Sequence, residues 1–232
     1  MNPRYWLIIP AAGVGNRMQA DCPKQYLKID GRTILERTIE AFNTKNNFAG
    51  IVIVKSKDDP YWPKQNFQSR YPIHEADGGT ERCLSVFNGL QYLKDRASEN
   101  DWVLVHDAAR PCIHQDDIAK LITSMNSHSV GGLLGLPVAD TLKFCDQNGR
   151  VNRTVNRKGL WRALTPQMFR YEKLYDAMNN GIGNPGVITD EASAMEIAGY
   201  QPVMVEGRWD NIKITHPQDL KQAQLILHSR DS

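Results

Sequence analysis

Residues 48–54 (FAGIVIV) and 102–106 (WVLVH) are apolar almost without a break. A strand with one wet face alternates apolar and polar side chains. An unbroken run needs cover on both faces, as in a parallel sheet held between two helical layers. Residues 5–10 (YWLIIP) read as a third short apolar strand. Helical signals lie between these runs. Thr33 and Glu36 have capping-box spacing, and Ile34, Leu35, Thr38, Ile39 and Phe42 form one apolar stripe. A helix over about 81–94 puts Val86, Leu90 and Leu93 on one face. Another over about 115–126 does the same with Ile118, Leu121, Ile122 and Met125. Residues 55–70 are polar and carry Pro60 and Pro63, so they read as irregular, and residues 71–75 read as a weak strand. Strand, loop and helix repeat three times, which predicts the α/β class: a three-layer sandwich with right-handed crossovers.

The pattern changes after Gly131. GLLGLPVAD, TLKFCD and RVNRTV read as extended segments, with a tight turn at Gln147-Asn148-Gly149. Asn-Gly is a strong hairpin signal. The hairpin face Thr141, Lys143 and Cys145 against Val151, Arg153 and Val155 is mixed in polarity, and no helix stands ready to cover it. An arm that packs on another subunit answers this better than a hairpin lying on its own domain. Helices over 167–178 and 189–198 follow, then a strand over 202–206. A last helix is opened by Thr215-His216-Pro217-Gln218 and carries Leu220, Ala223, Ile226 and Leu227. No internal repeat or linker-like tract interrupts the 232 residues, which predicts one domain over 1–232 with an inserted β-arm at about 137–158.

Lys plus Arg number 28 against 26 Asp plus Glu, a formal charge of +2. That balance argues against a broad nucleic-acid surface and leaves room for a small basic pocket. No apolar run approaches the ~20 residues needed to span a bilayer. No signal-peptide pattern precedes the first strand, so no membrane partner and a cytoplasmic location are expected. Cys22, Cys83, Cys112 and Cys145 are far apart in sequence and read as reduced, mostly buried thiols rather than a disulfide or zinc framework.

The first loop, Pro10-Ala11-Ala12-Gly13-Val14-Gly15-Asn16-Arg17, leaves the first strand at the edge where open α/β sheets bind ligands. Small residues let backbone N–H groups close around a phosphate. The spacing is neither the dinucleotide fingerprint nor a Walker loop. Arg17 supplies a planar fork of donors and Lys24 a mobile point charge, which together suit a triphosphate. The alternative is an ordinary glycine turn beside surface cations. Asp107, directly after WVLVH, can take a ribose hydroxyl or Mg²⁺, or serve as a turn cap fixed by Arg110. Asp210 is a second candidate metal ligand, and its neighbour Lys213 can reach phosphates. His106, inside an apolar run, reads as structural rather than as a base. No nucleophile constellation is evident: Ser85 lacks a nucleophile-elbow context. Transfer to an already ionised phosphate needs none, only charge neutralisation and in-line alignment.

Taken together, PAAGVGNRM, PKQY, DGGTER, HDAARP, DTLK, LTPQ, TDEASA and EGRWDNIKITHPQDL resemble, in order and from about residue 6 to 220, the 2-C-methyl-D-erythritol 4-phosphate cytidylyltransferases. The resemblance implies a Rossmann-like nucleotidyltransferase fold, Mg²⁺, and transfer of a cytidylyl group from CTP to methylerythritol phosphate with release of pyrophosphate. It also implies a homodimer joined through the projecting β-hairpin arm. By motif position it makes Arg17, Lys24 and Lys213 catalytic. Ala11, Ala12, Gly13, Gly15, Gly79, Thr80, Ser85 and Asp107 become nucleotide-binding. Thr141, Arg157, Thr165, Thr189 and Lys213 become acceptor-binding, with Arg157 entering from the partner subunit, and Asp107 and Asp210 fall near the metal. Thr80 and Asn156 stand where relatives often carry aspartate. A pentitol-phosphate cytidylyltransferase shares the chemistry. The match from TDEASA to NIKIT, with Arg157 and Thr165, favours methylerythritol. A non-catalytic nucleotide-binding regulator on the same fold has less reason to keep both Arg17 and Lys24.

Overall fold

The computed structural model describes residues 3–13, 18, 21–182 and 188–231. Its elements run β1 (Tyr5–Pro10), β2 (Lys28–Ile29), β3 (Arg32–Thr33), α1 (Ile34–Ala41), β4 (Phe48–Lys55), β5 (Ile73–Asp77), α2 (Arg82–Tyr92), β6 (Trp102–Val105) and α3 (Gln115–Met125). They continue β7 (Gly131–Pro137), β8 (Leu142–Cys145), β9 (Val151–Val155), β10 (Trp161–Arg170), α4 (Tyr171–Gly181), α5 (Glu191–Ile197), β11 (Val203–Glu206) and α6 (Pro217–Asp231).

The unbroken apolar runs sit together in a seven-stranded sheet ordered β11-β7-β10-β6-β1-β4-β5. β1 pairs in parallel with both β4 and β6, and β5 extends the parallel set beyond β4. Because side chains alternate across a strand, each run feeds two cores. Leu7, Ile9, Ile51, Ile53 and Leu104 pack beneath α1 and α3 with Leu35, Ile39, Ile118 and Leu121. Trp6, Ile8, Val52, Val54, Val103 and Val105 pack on the other face with Val86 and Leu90 of α2, Leu174 and Met178 of α4, and Met195 of α5. A smaller cluster joins Ala223 and Ile226 of α6 to Ile34, Ala109, Cys112 and Ile214. It presses the segment after β11 onto the end of the sheet.

Local signals set most helix starts. The Thr33 hydroxyl accepts from the Glu36 N–H while the Glu36 carboxylate accepts from the Thr33 N–H, the reciprocal box expected. Asp190 caps α5, with Ser193 completing the box. At α6 the acceptor for the Thr215 and His216 N–H groups is Asp219, one residue beyond the Gln218 that the spacing suggested.

Tertiary pairing overrode local pattern in two places. The helix expected over 167–178 begins only at Tyr171, because Gln167–Arg170 are the end of β10. There Met168 lies opposite Leu104 on one side and Gly132 on the other, antiparallel to both neighbours. The weak strand expected at 71–75 is Ile73–Asp77, held in register by Ile51 opposite Ile73 and Lys55 opposite Asp77.

β8 and β9 form a sheet of their own. Their loop closes on the Asp146 carboxylate, which accepts from the Asn148 and Arg150 N–H groups, with Gly149 at φ +77°. Cys145 faces Val151 as expected, but the pairs beyond it differ. Leu142 meets Val155 and Phe144 meets Arg153, because an irregularity between Phe144 and Cys145 shifts the register. Phe144 and Val151 are 54% and 60% exposed, so the arm leaves apolar surface in water. The thiols are free, but only Cys112 is buried and Cys145 is exposed on the arm, which corrects the expectation of mostly buried cysteines.

Gly131 begins β7 at φ +137°, and a Cβ there would fall 2.1 Å from the Met168 carbonyl oxygen. Gly131→Ala combines backbone strain with a clash against backbone, and it is expected to cost about 3 kcal/mol or more. A lowered urea midpoint at unchanged m-value measures this; an unchanged midpoint contradicts it.

Candidate active site

A cleft of about 530 Å³ opens at the carboxyl edge of the parallel strands. Three loops build it. The loop after β1 contributes Pro10 to Gly13, the loop after β5 contributes Gly79 to Arg82, and the turn after β6 contributes Asp107 to Ala109. Lys24, Gln25, Ser85 and Lys213 complete the wall. The lining sets Lys24, Arg82 and Lys213 against Glu81 and Asp107, so it favours an anionic ligand.

The backbone of these loops is held by its neighbours. The Ala11 N–H donates to Val54 and its carbonyl accepts from the Gln25 amide at 2.7 Å. The Gly78 N–H donates to the Lys55 carbonyl, and the Gly79 N–H donates to the Ser85 hydroxyl at 3.1 Å. A Cβ on Gly78 would lie 2.3 Å from that of Ala12, so the first and second loops touch through this glycine.

Asp107 is buried and surrounded by cations. One carboxylate oxygen accepts from Arg82 Nε at 3.0 Å; the other accepts from Arg110 Nε at 3.1 Å and lies 2.9 Å from Lys213 Nζ. Burial alone would raise its pKa, but Arg82, then Lys213 and Arg110, hold it far below the usual carboxylate range. Arg82 also grips the buried Glu191 carboxylate with both terminal nitrogens, at 2.7 and 3.3 Å. Lys24 Nζ donates to the Ile214 carbonyl at 2.9 Å, so it lies beside the same chain segment that carries Lys213.

His106 is fully buried. Its Nε2 lies 3.1 Å from the Arg110 carbonyl oxygen and its Nδ1 lies 3.0 Å from the Thr165 hydroxyl. Burial pushes its pKa down to about 4, so the ring is neutral and structural, as expected.

A model of the 2-C-methyl-D-erythritol 4-phosphate cytidylyltransferase family matches residues 5–229. A relative so named from Pseudomonas fluorescens (strain Pf0-1) is 51% identical over 220 residues, 94% of each chain. One from Pseudomonas aeruginosa strain PAO1 is 49% identical over 223 residues, 96% of this chain and 95% of that one. A crystal structure of 4-diphosphocytidyl-2C-methyl-D-erythritol synthase superposes with a TM-score of 0.85 at 35% identity, covering 98% of this chain and 100% of that one. The Francisella tularensis cytidylyltransferase gives 0.82 at 37% identity, covering 96% and 99%.

The chain belongs to this family. Its fold is the Rossmann-like nucleotidyltransferase sandwich of those cytidylyltransferases. Of the residues that motif position suggested, Ala11, Ala12, Gly13, Lys24, Gly79, Thr80, Ser85, Asp107 and Lys213 line one cleft. Gly15 and Arg17 lie outside the described residues. Asp210 is not part of the cleft wall: one of its carboxylate oxygens pairs with Arg230 of α6 at 2.7 Å, and the other is buried with no hydrogen-bond partner among the described residues. Thr141 and Arg157 are exposed on the arm side, where Arg157 donates to the Ala139 carbonyl. Thr189 is exposed before α5, and none of these three lines this chain's cleft. Thr165 is buried beneath Asp107 rather than in the wall. Arg82 and Glu191 went unassigned in the sequence. Both lie within quoted motifs, DGGTER and TDEASA, yet only the fold brings them together.

The His106 shift predicts a pH effect on stability. The folded-state pKa is depressed, so between about pH 6.5 and 4 the unfolded chain takes up a proton that the folded chain refuses. Stability should fall as pH drops through this window and become insensitive to this group below it. His106→Asn should remove a slope of about 1.4 kcal/mol per pH unit across the window. Urea midpoints from pH 7 to 4 measure it, and equal slopes in the two proteins contradict the assignment.

Proposed function

We propose that this cleft holds the triphosphate of CTP against Lys24 and Lys213, with the nucleoside against the glycine loops and Asp107. The chain is a cytidylyltransferase: it moves a cytidylyl group from CTP to 2-C-methyl-D-erythritol 4-phosphate. An oxygen of the acceptor phosphate bonds to the α-phosphorus, the bond from that phosphorus to the bridging oxygen breaks, and pyrophosphate leaves. The attacking oxygen is already ionised, so no general base is required. The chain's task is to hold two anions in line and to meet charge as it develops. The observation that carries this reading is the convergence of Lys24 and Lys213 on one cleft from opposite ends of the sequence. Lys24 is docked on the Ile214 carbonyl and Lys213 on Asp107. Arg17, in the glycine loop, is assigned to the same phosphates by motif position.

Membership of the family implies a divalent metal. Among the described residues no group of three or more His, Cys, Asp or Glu side chains could cage one. The donor set fits a Mg²⁺ ion held mainly by phosphate oxygens and water, with Asp107 in the cleft wall and Asp210, assigned by motif position, as the proposed protein carboxylates. Such an ion would neutralise the triphosphate, which carries about four negative charges, and orient it. Asp107→Asn should therefore raise the Mg²⁺ requirement.

Thr141, Arg157 and Thr189 are proposed acceptor residues, with Lys213. The first two stand on an arm whose exposed Phe144 and Val151 call for a covering surface, and a lone two-stranded hairpin is marginal in water. A second copy docked reciprocally would cover the arms and bring Arg157 to the other subunit's cleft. No helix among the described residues is long and apolar enough to cross a membrane.

Lys24→Ala and Lys213→Ala are each expected to keep the fold and to lose about 10²–10³ in turnover. Pyrophosphate release from CTP and methylerythritol phosphate measures this, and an unchanged rate removes the residue from the mechanism. Mixing Arg157→Ala with Lys24→Ala chains should restore up to about a quarter of wild-type activity, since one site in each heterodimer is intact. Confirmed heterodimers with no recovery would place Arg157 and Lys24 in the same subunit.

A further inference from the structure

Lys24 leaves the backbone from a single 3₁₀ turn, Lys24–Tyr26. Two N–H groups close that turn: Tyr26 donates to the Pro23 carbonyl at 2.9 Å and Leu27 to the Lys24 carbonyl at 3.1 Å. A turn this short has little stability of its own. A lysine is a point charge on a flexible stem, so where it acts depends on how firmly its root is held. The firmest hold comes from outside the cleft. Tyr26 is buried, and its phenol donates to one Asp59 carboxylate oxygen at 2.6 Å. Burial, together with that carboxylate, raises the phenol's pKa well above the ordinary tyrosine range, so it remains a donor. The other Asp59 oxygen accepts from the Tyr61 N–H at 2.9 Å. The Tyr61 ring then stacks on Tyr26 with centroids 5.4 Å apart, and its hydroxyl donates to the Asp21 carbonyl at 3.0 Å. The loop after β4 is itself anchored, because Tyr61, Trp62 and Phe67 pack against the core beneath α1. None of Tyr26, Asp59 and Tyr61 lines the cleft.

We propose that Asp59 and Tyr26 are positioning residues for Lys24: the Asp59 carboxylate fixes the Tyr26 phenol, and the phenol fixes the turn from which the Lys24 side chain enters the cleft. The proposal rests on the reading that Lys24 meets the triphosphate as its charge develops. Its consequence is specific: loosening the turn should be felt in turnover rather than in the binding of either substrate.

Steady-state constants, amide exchange and a double-mutant cycle test this. Tyr26→Phe keeps the ring stack and removes only the hydroxyl. It should lower kcat about 10-fold, within the loss expected when a group is misplaced by about an ångström, and change either KM by less than about threefold. Asp59→Ala should cost at least as much. Asp59→Asn keeps an oxygen for the Tyr61 N–H and presents an amide to the Tyr26 oxygen, which can also accept, so it should recover most of the loss. Asp59 is only half-buried, so its two variants carry the test if Tyr26→Phe does not fold. Amide hydrogen exchange at Tyr26 and Leu27 should quicken in Asp59→Ala and return towards wild type in Asp59→Asn. In a Lys24→Ala background Asp59→Ala should cost less than about a further twofold, because the group it positions is already gone. An unchanged kcat in folded Asp59→Ala, a loss confined to one KM, unaltered exchange, or an Asp59→Asn no better than Asp59→Ala would each overturn the proposal. Lys24→Ala with wild-type turnover would remove the Lys24 reading and the proposal with it, whereas an impaired Lys24→Ala with fully additive Asp59→Ala removes the clamp alone.

Discussion

Burying a carboxylate costs several kcal/mol unless cations meet it in good geometry, and Asp107 is buried at the end of the central strands. Arg82, Arg110 and Lys213 meet it, and Glu191 shares the charge of Arg82. These five residues come from the loop after β5 with the start of α2, the turn after β6, the start of α5 and the segment after β11. One charge cluster thus ties together the chain segments that form the cleft. Removing Arg82 would take from the buried Glu191 carboxylate the cation that pairs with it, which is costlier than the pair is worth.

The remaining contacts make that cluster rigid. The parallel strands β1, β4 and β6 are covered on both faces, so their carboxyl ends have little freedom to move. α6 holds the segment of Lys213 down through Ile214, Ala223 and Ile226. Below Asp107, its backbone N–H donates to the Thr165 hydroxyl, which also meets the neutral His106 ring at Nδ1. Lys213, more exposed than Arg82 or Arg110, is the member of the cluster best able to exchange Asp107 for a phosphate.

The arm is built on the opposite principle. Its strands pair only with each other, and apolar side chains remain in water. Its value lies in reach rather than self-sufficiency, which suits the proposal that it completes another subunit's site.

Much of this was legible in the residues themselves. Unbroken apolar runs such as FAGIVIV demand cover on both faces, and the Thr33–Glu36 box announces a helix start; both are local facts of side-chain chemistry, and the structure keeps them. The motifs likewise marked the loops that line the cleft. What the residues could not reveal was set by partners distant in the chain. Gln167–Arg170 look helical until β6 and β7 offer hydrogen bonds on both sides. Asp210, placed near the metal by motif position alone, has Arg230 of α6 within 2.7 Å, a pairing that no local spacing reveals. Arg82 and Glu191, 109 positions apart, share a salt bridge that no local spacing encodes. Sequence determined which segments are strands, helix starts and ligand loops, because those follow from periodicity and capping. Tertiary structure alone decided which charges neutralise one another, because that depends on which loop ends the sheet order brings together.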